Sequence, residues 1–436
     1  MIINFSVQNF GSIKEKQTLS FEASKSTHLE EYYVMQPIPG LRLLKLALIY
    51  GANASGKTTV LKALEFLRTL VLNPAGKKTE EIIFNPFLFD PHTPHQNTIL
   101  EIEFVQNAVH YSYDVEFNKK AIIREELNFH KPNKANVFRR TTDIDKQLTE
   151  IKFGSKIKKN KVVEKVLESN TLWNNTVLGG FLKTNIELPE LKDVSVWFLD
   201  YIDKLILPGT ILDNNVTQRV SNNETSKETL IEILKKADLN ISDIIIREEE
   251  YEKYPEYFIK HMEEQAKDEK SKEAVVRMRN EKNKTINLEL EHTVANIKYP
   301  LPFREESQGT QRYYGFAGLL SYLIGNSALS PIDELESSLH PDLFVHFLLS
   351  FITNAKNSQI LATTHNREFL EDKDIFRNDV IWFTEKNEQS ATELYSLDAF
   401  DTKIIRNKSN ILNAYKAGKF GGTPRLFDTY IDTEHE

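Results

Sequence analysis

An α/β fold built around a phosphate-binding loop is predicted for this 436-residue chain by three adjoining features. Leu46-Ala47-Leu48-Ile49-Tyr50 is continuously apolar, as a parallel strand covered on both faces must be. Gly51-Ala52-Asn53-Ala54-Ser55-Gly56-Lys57-Thr58 follows at once and carries the glycine, lysine and hydroxyl positions of a phosphate loop. Val60, Leu64, Leu67 and Val71 then recur at the spacing of one helical face. In a strand–loop–helix context the backbone N–H groups of the loop and the helix N-terminus present partial positive charge to a triphosphate. The residues expected around ATP are Gly51, Asn53, Ala54, Ser55, Gly56, Lys57, Thr58 and Thr59. Lys57 would reach the outer phosphates, and the Thr58 hydroxyl would ligate Mg2+.

Further motifs follow in a fixed order. Glu306-Ser307-Gln308-Gly309-Thr310 precedes a helix-like apolar stretch from Phe316 to Ile324. Ile332-Asp333-Glu334 runs directly into Leu335-Glu336-Ser337-Ser338-Leu339-His340-Pro341, and Ile360-Leu361-Ala362-Thr363-Thr364 forms a strand ending on His365. This succession resembles the ABC-type ATPase heads: Walker A, signature, Walker B with a catalytic glutamate, D-loop and switch histidine. The resemblance implies an ABC-type P-loop NTPase head with an antiparallel β subdomain and a mostly helical insertion. It also implies that Asp333 holds the metal shell, Glu334 polarises the attacking water, and His365 contacts the γ-phosphate and senses its loss.

Two departures stand out. The signature reads Ser-Gln-Gly-Thr where transporter heads usually have Ser-Gly-Gly-Gln, and no secure Q-loop glutamine is found. Pro331 lies in the strand before the acidic pair, although proline cannot donate to a sheet ladder and belongs at edges or bulges. In ABC heads the signature closes over the nucleotide of the opposing head, so Ser307 and Gly309 would complete a partner's site. A two-fold homodimer sandwiching two ATP molecules is the simplest arrangement, with higher oligomers open. ATP then acts as a reversible clamp.

Composition narrows the function classes. With 55 basic and 63 acidic residues the net charge is −8, which does not describe a global polycation made for nucleic acid. Cysteine is absent, which excludes disulfides, thiolate metal sites and cysteine nucleophiles and fits a reducing cytoplasm. The N-terminus lacks the pattern of a signal peptide. No apolar run reaches the ~18 residues of a membrane span, so a cytoplasmic chain without a membrane channel is expected.

Three regions are expected: 1–135 and 300–436 as the two halves of the head, and 136–299 as the insertion. Residues 1–24 read as a hairpin, with Ile3, Phe5 and Val7 on one arm and Leu19 and Phe21 on the other. The segment Val7 to Ser12 resembles the opening of SMC-type heads. Residues 97–130 hold three runs alternating apolar and polar positions. Thr229 to Ile246 predicts an amphipathic helix and then a strand, and Glu248 to Lys284, dense in both charges, predicts a projecting helix or helical hairpin. The basic stretch with Lys131, Lys134, Arg139, Arg140, Lys146, Lys152, Lys156, Lys158, Lys159 and Lys161 could track phosphates, but its thin aromatic content favours a solvated loop and helix face.

As a whole the chain resembles bacterial AAA/ABC-type ATPases of phage-defence operons, the RloA, PtuA and AriA-like group related to OLD ATPases. The Tyr415 to Pro424 run resembles the Tyr-x-x-Gly-x-Phe-Gly-x-x-Pro ending of the RloA-like branch, and is either a simple turn or a second glycine-rich surface near the nucleotide. The resemblance implies an ATP-dependent dimerising switch or scaffold that senses infection and controls a separately encoded effector, a nuclease or toxin. Asp372-Lys373-Asp374 is better explained as a loop than as a TOPRIM nuclease centre. An SMC-like repair ATPase that binds nucleic acid directly, and a nucleotide-binding scaffold with negligible turnover, are the other readings.

Overall fold

In the computed structural model, residues 1–157, 161–371, 374–400 and 411–423 are described, the side chains at 284, 285 and 368 excepted. Lys158, Lys159, Asp372, Lys373 and Pro424, all singled out in the sequence, lie outside the described residues. The chain forms two compact units. The first comprises Met1–Thr210, Leu323–Ser337 and Leu348–Glu436; the second comprises Ile211–Tyr322 and Ser338–Phe347.

Strands are numbered along the chain. In the first unit β1 (Ile2–Gln8) and β2 (Gln17–Ser20) pair antiparallel, the hairpin that the apolar alternation predicts. β3 (Val34–Ile38) and β4 (Leu41–Leu44) form a separate two-stranded ribbon. The three alternating runs become β6 (Thr98–Gln106), β7 (Val109–Phe117) and β8 (Ile122–His130). Two more strands, β9 (Lys134–Asp143) and β10 (Leu148–Phe153), complete a seven-stranded sheet in the order β10-β9-β8-β7-β6-β1-β2.

Those last two strands correct the expectation that residues from 136 onward are mostly helical. The basic residues disguised the pattern. Val137, Phe138 and Ile151 are buried, and Arg140 is fully buried 3.8 Å from the equally buried Glu125. Glu125 also accepts from the Tyr113 hydroxyl at 2.8 Å and from the Val177 amide. Arg140 therefore occupies a core position, although its residue type reads as solvated surface. Helices Lys161–Asn170, Val177–Phe181 and Pro189–Asp200 follow and also belong to the first unit.

A second, five-stranded sheet has the order β14-β15-β5-β16-β17, with β5 (Leu46–Gly51), β14 (Leu329–Ile332), β15 (Gln359–Thr363) and β16 (Ile381–Lys386) parallel and β17 (Thr392–Ser396) antiparallel. All six residues of β5 are buried, which is why its sequence is apolar throughout rather than alternating. Gln359 joins the two sheets. Its amide oxygen accepts from Ile2 N (2.7 Å) and the Tyr201 hydroxyl (2.8 Å), while its nitrogen donates to Ile2 O (3.1 Å) and Leu44 O (3.0 Å). A buried amide satisfied on every side stabilises this junction; one left unpaired would oppose it.

The position of Pro331 also resolves here. β14 ends the sheet order, and its amides at Leu329 and Asp333 point outward to the carbonyls of Tyr201 and Ile206. Pro331 falls between them on that outer side, so its missing N–H removes nothing from the ladder with β15.

In the second unit helices Asp213–Ser221 and Lys227–Lys236 precede a three-stranded antiparallel sheet, β11 (Ile241–Glu252), β12 (Lys282–Val294) and β13 (Ile297–Pro302). Between β11 and β12 lie helices Glu256–Gln265 and Glu269–Asn280, where a helical hairpin is predicted. Ile259 and Val275 are buried in this charge-rich pair, and Arg279 bridges to Glu263 at 3.0 Å. The region is thus mixed rather than mostly helical. β11 and β12 carry charged residues on both faces and offer little apolar alternation for sequence reading to use.

Candidate nucleotide site

β5 delivers Gly51 to the loop, and the helix Lys57–Leu72 starts inside the motif. Two loop positions require glycine. A Cβ on Gly51 would stand 2.5 Å from both Ser55 Oγ and Thr384 Oγ1. Gly56 has φ 106°, and a Cβ there would stand 2.1 Å from Thr392 Oγ1. Ala54 holds φ 62°, a left-handed backbone that costs an L residue free energy and persists only where surroundings impose it.

A chain of hydroxyls supplies that constraint. Ser55 Oγ and Thr384 Oγ1 are 2.6 Å apart, and Thr392 Oγ1 donates to Ser55 O at 2.8 Å. Ser12 Oγ lies 2.8 Å from Thr392 Oγ1 and 2.9 Å from Thr59 Oγ1. The turn that presents Ser12 is set by Asn9, whose Nδ2 donates to Thr93 O and whose Oδ1 accepts from Phe87 N. Phe10 packs on Phe66 and Phe84. The Asn-Phe opening of the chain therefore buttresses the phosphate loop.

Lys57 is 6 % exposed and donates to the carbonyls of Gly51 (2.9 Å) and Ala52 (3.1 Å). Burial lowers the pKa of its ammonium, against the opposing pull of Asp333, Glu334 and Glu336. Asp333 is the hub. Thr58 Oγ1 lies 3.0 and 3.1 Å from its two oxygens, and the buried Thr363 hydroxyl donates to Oδ1 at 2.6 Å. The same Thr363 oxygen accepts the Glu334 amide at 2.8 Å. Glu334 sits at φ 47°, so its side chain projects from a left-handed corner directly after β14. His365 follows β15, and its amide donates to Glu336 Oε1 at 2.5 Å. Partial loss of hydration, then the Lys57 charge, lower the His365 imidazole pKa, while Glu336 and Glu334 raise it.

Lys57, Thr58, Asp333, Glu334 and His365 thus converge within one unit. Ser307 and Gly309 belong to the other, at the start of the helix Gln308–Gly325, where Ser307 Oγ accepts the Thr310 amide at 3.0 Å. A Cβ at Gly309 would come 3.5 Å from Ser338 O of the D-loop.

The donor set suits Mg2+. One carboxylate and one hydroxyl meet beside a phosphate loop, and Mg2+ is held by one or two carboxylates plus substrate phosphates rather than by a protein cage. No group of three or more His, Asp or Glu side chains that could hold a metal ion occurs among the described residues. A cavity of about 630 Å³ opens on the loop at Gly51, Ala52 and Asn53 and is lined further by His365, Arg367, Thr384, Tyr415 and Gly422.

Four of the ten basic residues in the stretch face carboxylates. Arg139 pairs with Glu126 (3.1 Å), Lys146 with Asp143 (3.0 Å) and Lys152 with Glu150 (3.0 Å), and Arg140 is buried with Glu125. Of these, Arg140 is buried and so cannot face a phosphate backbone, while Arg139, Lys146 and Lys152 remain exposed.

Sequence reasoning missed Ser12, Thr363, Thr384 and Thr392. Thr363 had a signal, since it ends the strand leading to His365. Ser12 lies in the Val7–Ser12 segment that resembles an SMC-type opening, while Thr384 and Thr392 had no signal, because isolated hydroxyl residues from distant segments are brought together only by the sheet.

A family profile described as "AAA domain, putative AbiEii toxin, Type IV TA system" matches residues 46–371, well over half of the chain. Among curated proteins no match is found. Similar solved structures include the SMC head domain from Thermotoga maritima, at 10 % identity and TM-score 0.40 over 91 % of this chain and 98 % of that one. An SmcHead bound to the C-winged helix domain of ScpA matches at 11 % identity and TM-score 0.42 over 91 % and 97 %. An Smc head domain with an extended coiled coil, bound to the C-terminal domain of ScpA derived from Pyrococcus furiosus, matches at 12 % identity and TM-score 0.37 over 95 % and 99 %. Among the described residues no helix is long and apolar enough to cross a membrane.

Proposed function

The chain belongs to the AAA-domain family described for AbiEii toxins of type IV TA systems, and on that premise we propose that it is an ATP-hydrolysing switch that pairs with a second copy and controls a separately encoded effector. The observation that carries the proposal is the Asp333 hub. One carboxylate is held by Thr58 of the phosphate loop and by Thr363 of β15, and the same Thr363 fixes the backbone of Glu334.

In this reading the loop amides and Lys57 bind the phosphates, and Thr58 and Asp333 hold Mg2+, which supplies charge neutralisation at the phosphates. Glu334 would orient and polarise a water, and the His365 imidazole would hydrogen-bond the terminal phosphate. Ser307 and Gly309 would close over the nucleotide of the partner copy, so that ATP holds the pair together and its loss releases it. The family is described as a putative toxin of a type IV toxin–antitoxin system, which supports a chain that works as one part of a two-component system; in our proposal the other part is an antiphage effector that responds to the ATP state.

The test measures phosphate release and oligomeric mass with Mg-ATP for wild type, Lys57→Ala and Glu334→Gln. Turnover by wild type, silence in Lys57→Ala and a nucleotide-trapped dimer in Glu334→Gln are expected. A wild-type protein that releases no phosphate and keeps one mass with or without ATP would overturn the switch and leave a static scaffold.

A further inference from the structure

The cavity on the phosphate loop has a wall that none of the ATPase motifs supplies. It consists of Arg367, two residues beyond His365, of Thr384, Glu385 and Lys386 from β16, and of Tyr415, Gly422 and Thr423 from the late segment Ile411–Thr423. That segment is anchored by aromatic packing. The buried Tyr415 ring stacks on Phe383 (5.4 Å between centroids) and meets Tyr50 of β5 edge-on (6.0 Å), while Phe420 stacks on Phe383 (5.8 Å). The Tyr415 hydroxyl donates to Gly422 O at 3.1 Å, and the Tyr395 hydroxyl donates to Phe420 O at 2.8 Å.

Gly421 and Gly422 have φ 67° and 63°. A Cβ on Gly421 would stand 2.2 Å from Glu385 Oε2, and one on Gly422 would stand 3.4 Å from the Cα of Gly51. The turn therefore passes against the first residue of the phosphate loop, in a left-handed backbone that favours glycine.

Arg367 is tied to this segment. Its guanidinium carbon lies 5.6 Å from the Tyr415 ring centroid, within the range of a cation–π contact. Arg367 and His365 both line the cavity. Lys386, the other cation along the cavity, donates to Ser390 O at 2.9 Å in the β16–β17 turn.

We propose that Arg367 contacts the terminal phosphate of ATP held on the same chain, and that Tyr415 is the positioning residue that aims it. A planar guanidinium suits a phosphate oxygen pair, and held on an aromatic face it loses little freedom on binding. ADP lacks the group it would contact, so Arg367 discriminates between the two nucleotides and links the late segment to the nucleotide state. This rests on the ATP-site reading above.

The experiment titrates fluorescent ATP and ADP analogues with Mg2+ against the full chain as wild type, Lys57→Ala, Arg367→Ala, Tyr415→Leu and Tyr415→Phe. Arg367→Ala is expected to weaken ATP about tenfold and leave ADP within about twofold, the size of a lost charge-assisted phosphate contact. Tyr415→Leu should weaken ATP alone by about two- to fivefold, as loss of a cation–π contact does. Tyr415→Phe keeps the ring and should retain the wild-type preference. Equal loss of both nucleotides in Arg367→Ala, or an unchanged ATP-to-ADP preference in either Arg367→Ala or Tyr415→Leu, overturns the proposal. Absence of ATP binding by wild type, or undiminished binding by Lys57→Ala, overturns the ATP site itself and the proposal with it.

Discussion

Replacing Thr363 by valine isolates the geometry of the acidic pair from its chemistry. The side chain is fully buried and its hydroxyl serves two partners at once, donating to Asp333 and accepting the Glu334 amide. Valine keeps the β-branched shape and replaces the hydroxyl with a methyl that can neither donate nor accept. A hydrogen bond to a charged acceptor is worth about 1.5–3 kcal/mol, and leaving the Glu334 amide unsatisfied costs about 1–3 kcal/mol more. Together these exceed what is needed to release Glu334 from its φ of 47°, a conformation an unconstrained glutamate leaves readily. A misplaced polarising group should then raise the barrier to hydrolysis by about 2.7 kcal/mol, or about a hundredfold in rate. ATP binding should stay within about threefold of wild type, because the phosphate loop keeps its own hydroxyl network. Thr363→Ser retains both bonds and should hydrolyse within about threefold of wild type. Phosphate release and nucleotide titration on the three proteins decide it, with urea unfolding to show that each is folded. Turnover by Thr363→Val within twofold of wild type, or an equal loss in both variants, would refute the reasoning.

Gly56→Ala places a methyl 2.1 Å from Thr392 Oγ1 at φ 106°, so it should strain the loop by about 1–3 kcal/mol and weaken ATP at least about tenfold in a nucleotide titration. Asp114 lies between Glu101 and Glu126 on the neighbouring strands, and burial, followed by these like charges, raises its pKa to about 6. Because the folded chain then holds a proton that the unfolded chain releases, its contribution to stability falls as pH rises from about 4 to about 6. Asp114→Asn should therefore stabilise the protein at pH 7.5 by about 1–2 kcal/mol after allowance for solvent screening, and have little effect at pH 4.5, as read from urea midpoints.

Much of the first unit was legible because its signals are local. The phosphate loop must follow a strand and open a helix, so strand, glycines, lysine and threonine are contiguous. β1, β2 and β6 to β8 showed themselves through alternation, since each has one face in the core. β9 and β10 did not, because Arg140 in the core and basic residues outside erased the contrast that alternation depends on.

The sequence by itself singled out the residues proposed to carry the chemistry, since Lys57, Thr58, Asp333, Glu334 and His365 each lie in a short motif whose residue types the proposed reaction would use. Only the tertiary structure decided how they are held. Thr363 joining Asp333 to Glu334, Ser12 reaching Thr59 and Thr392, and the Ile411–Thr423 segment lying against Gly51 all join residues far apart in the chain. Such contacts leave no periodicity or spacing to read, because strand order and close packing bring the partners together. The outward-facing Pro331 makes the same point: its residue type opposed a strand, and the direction of one missing N–H decided that a strand could form there.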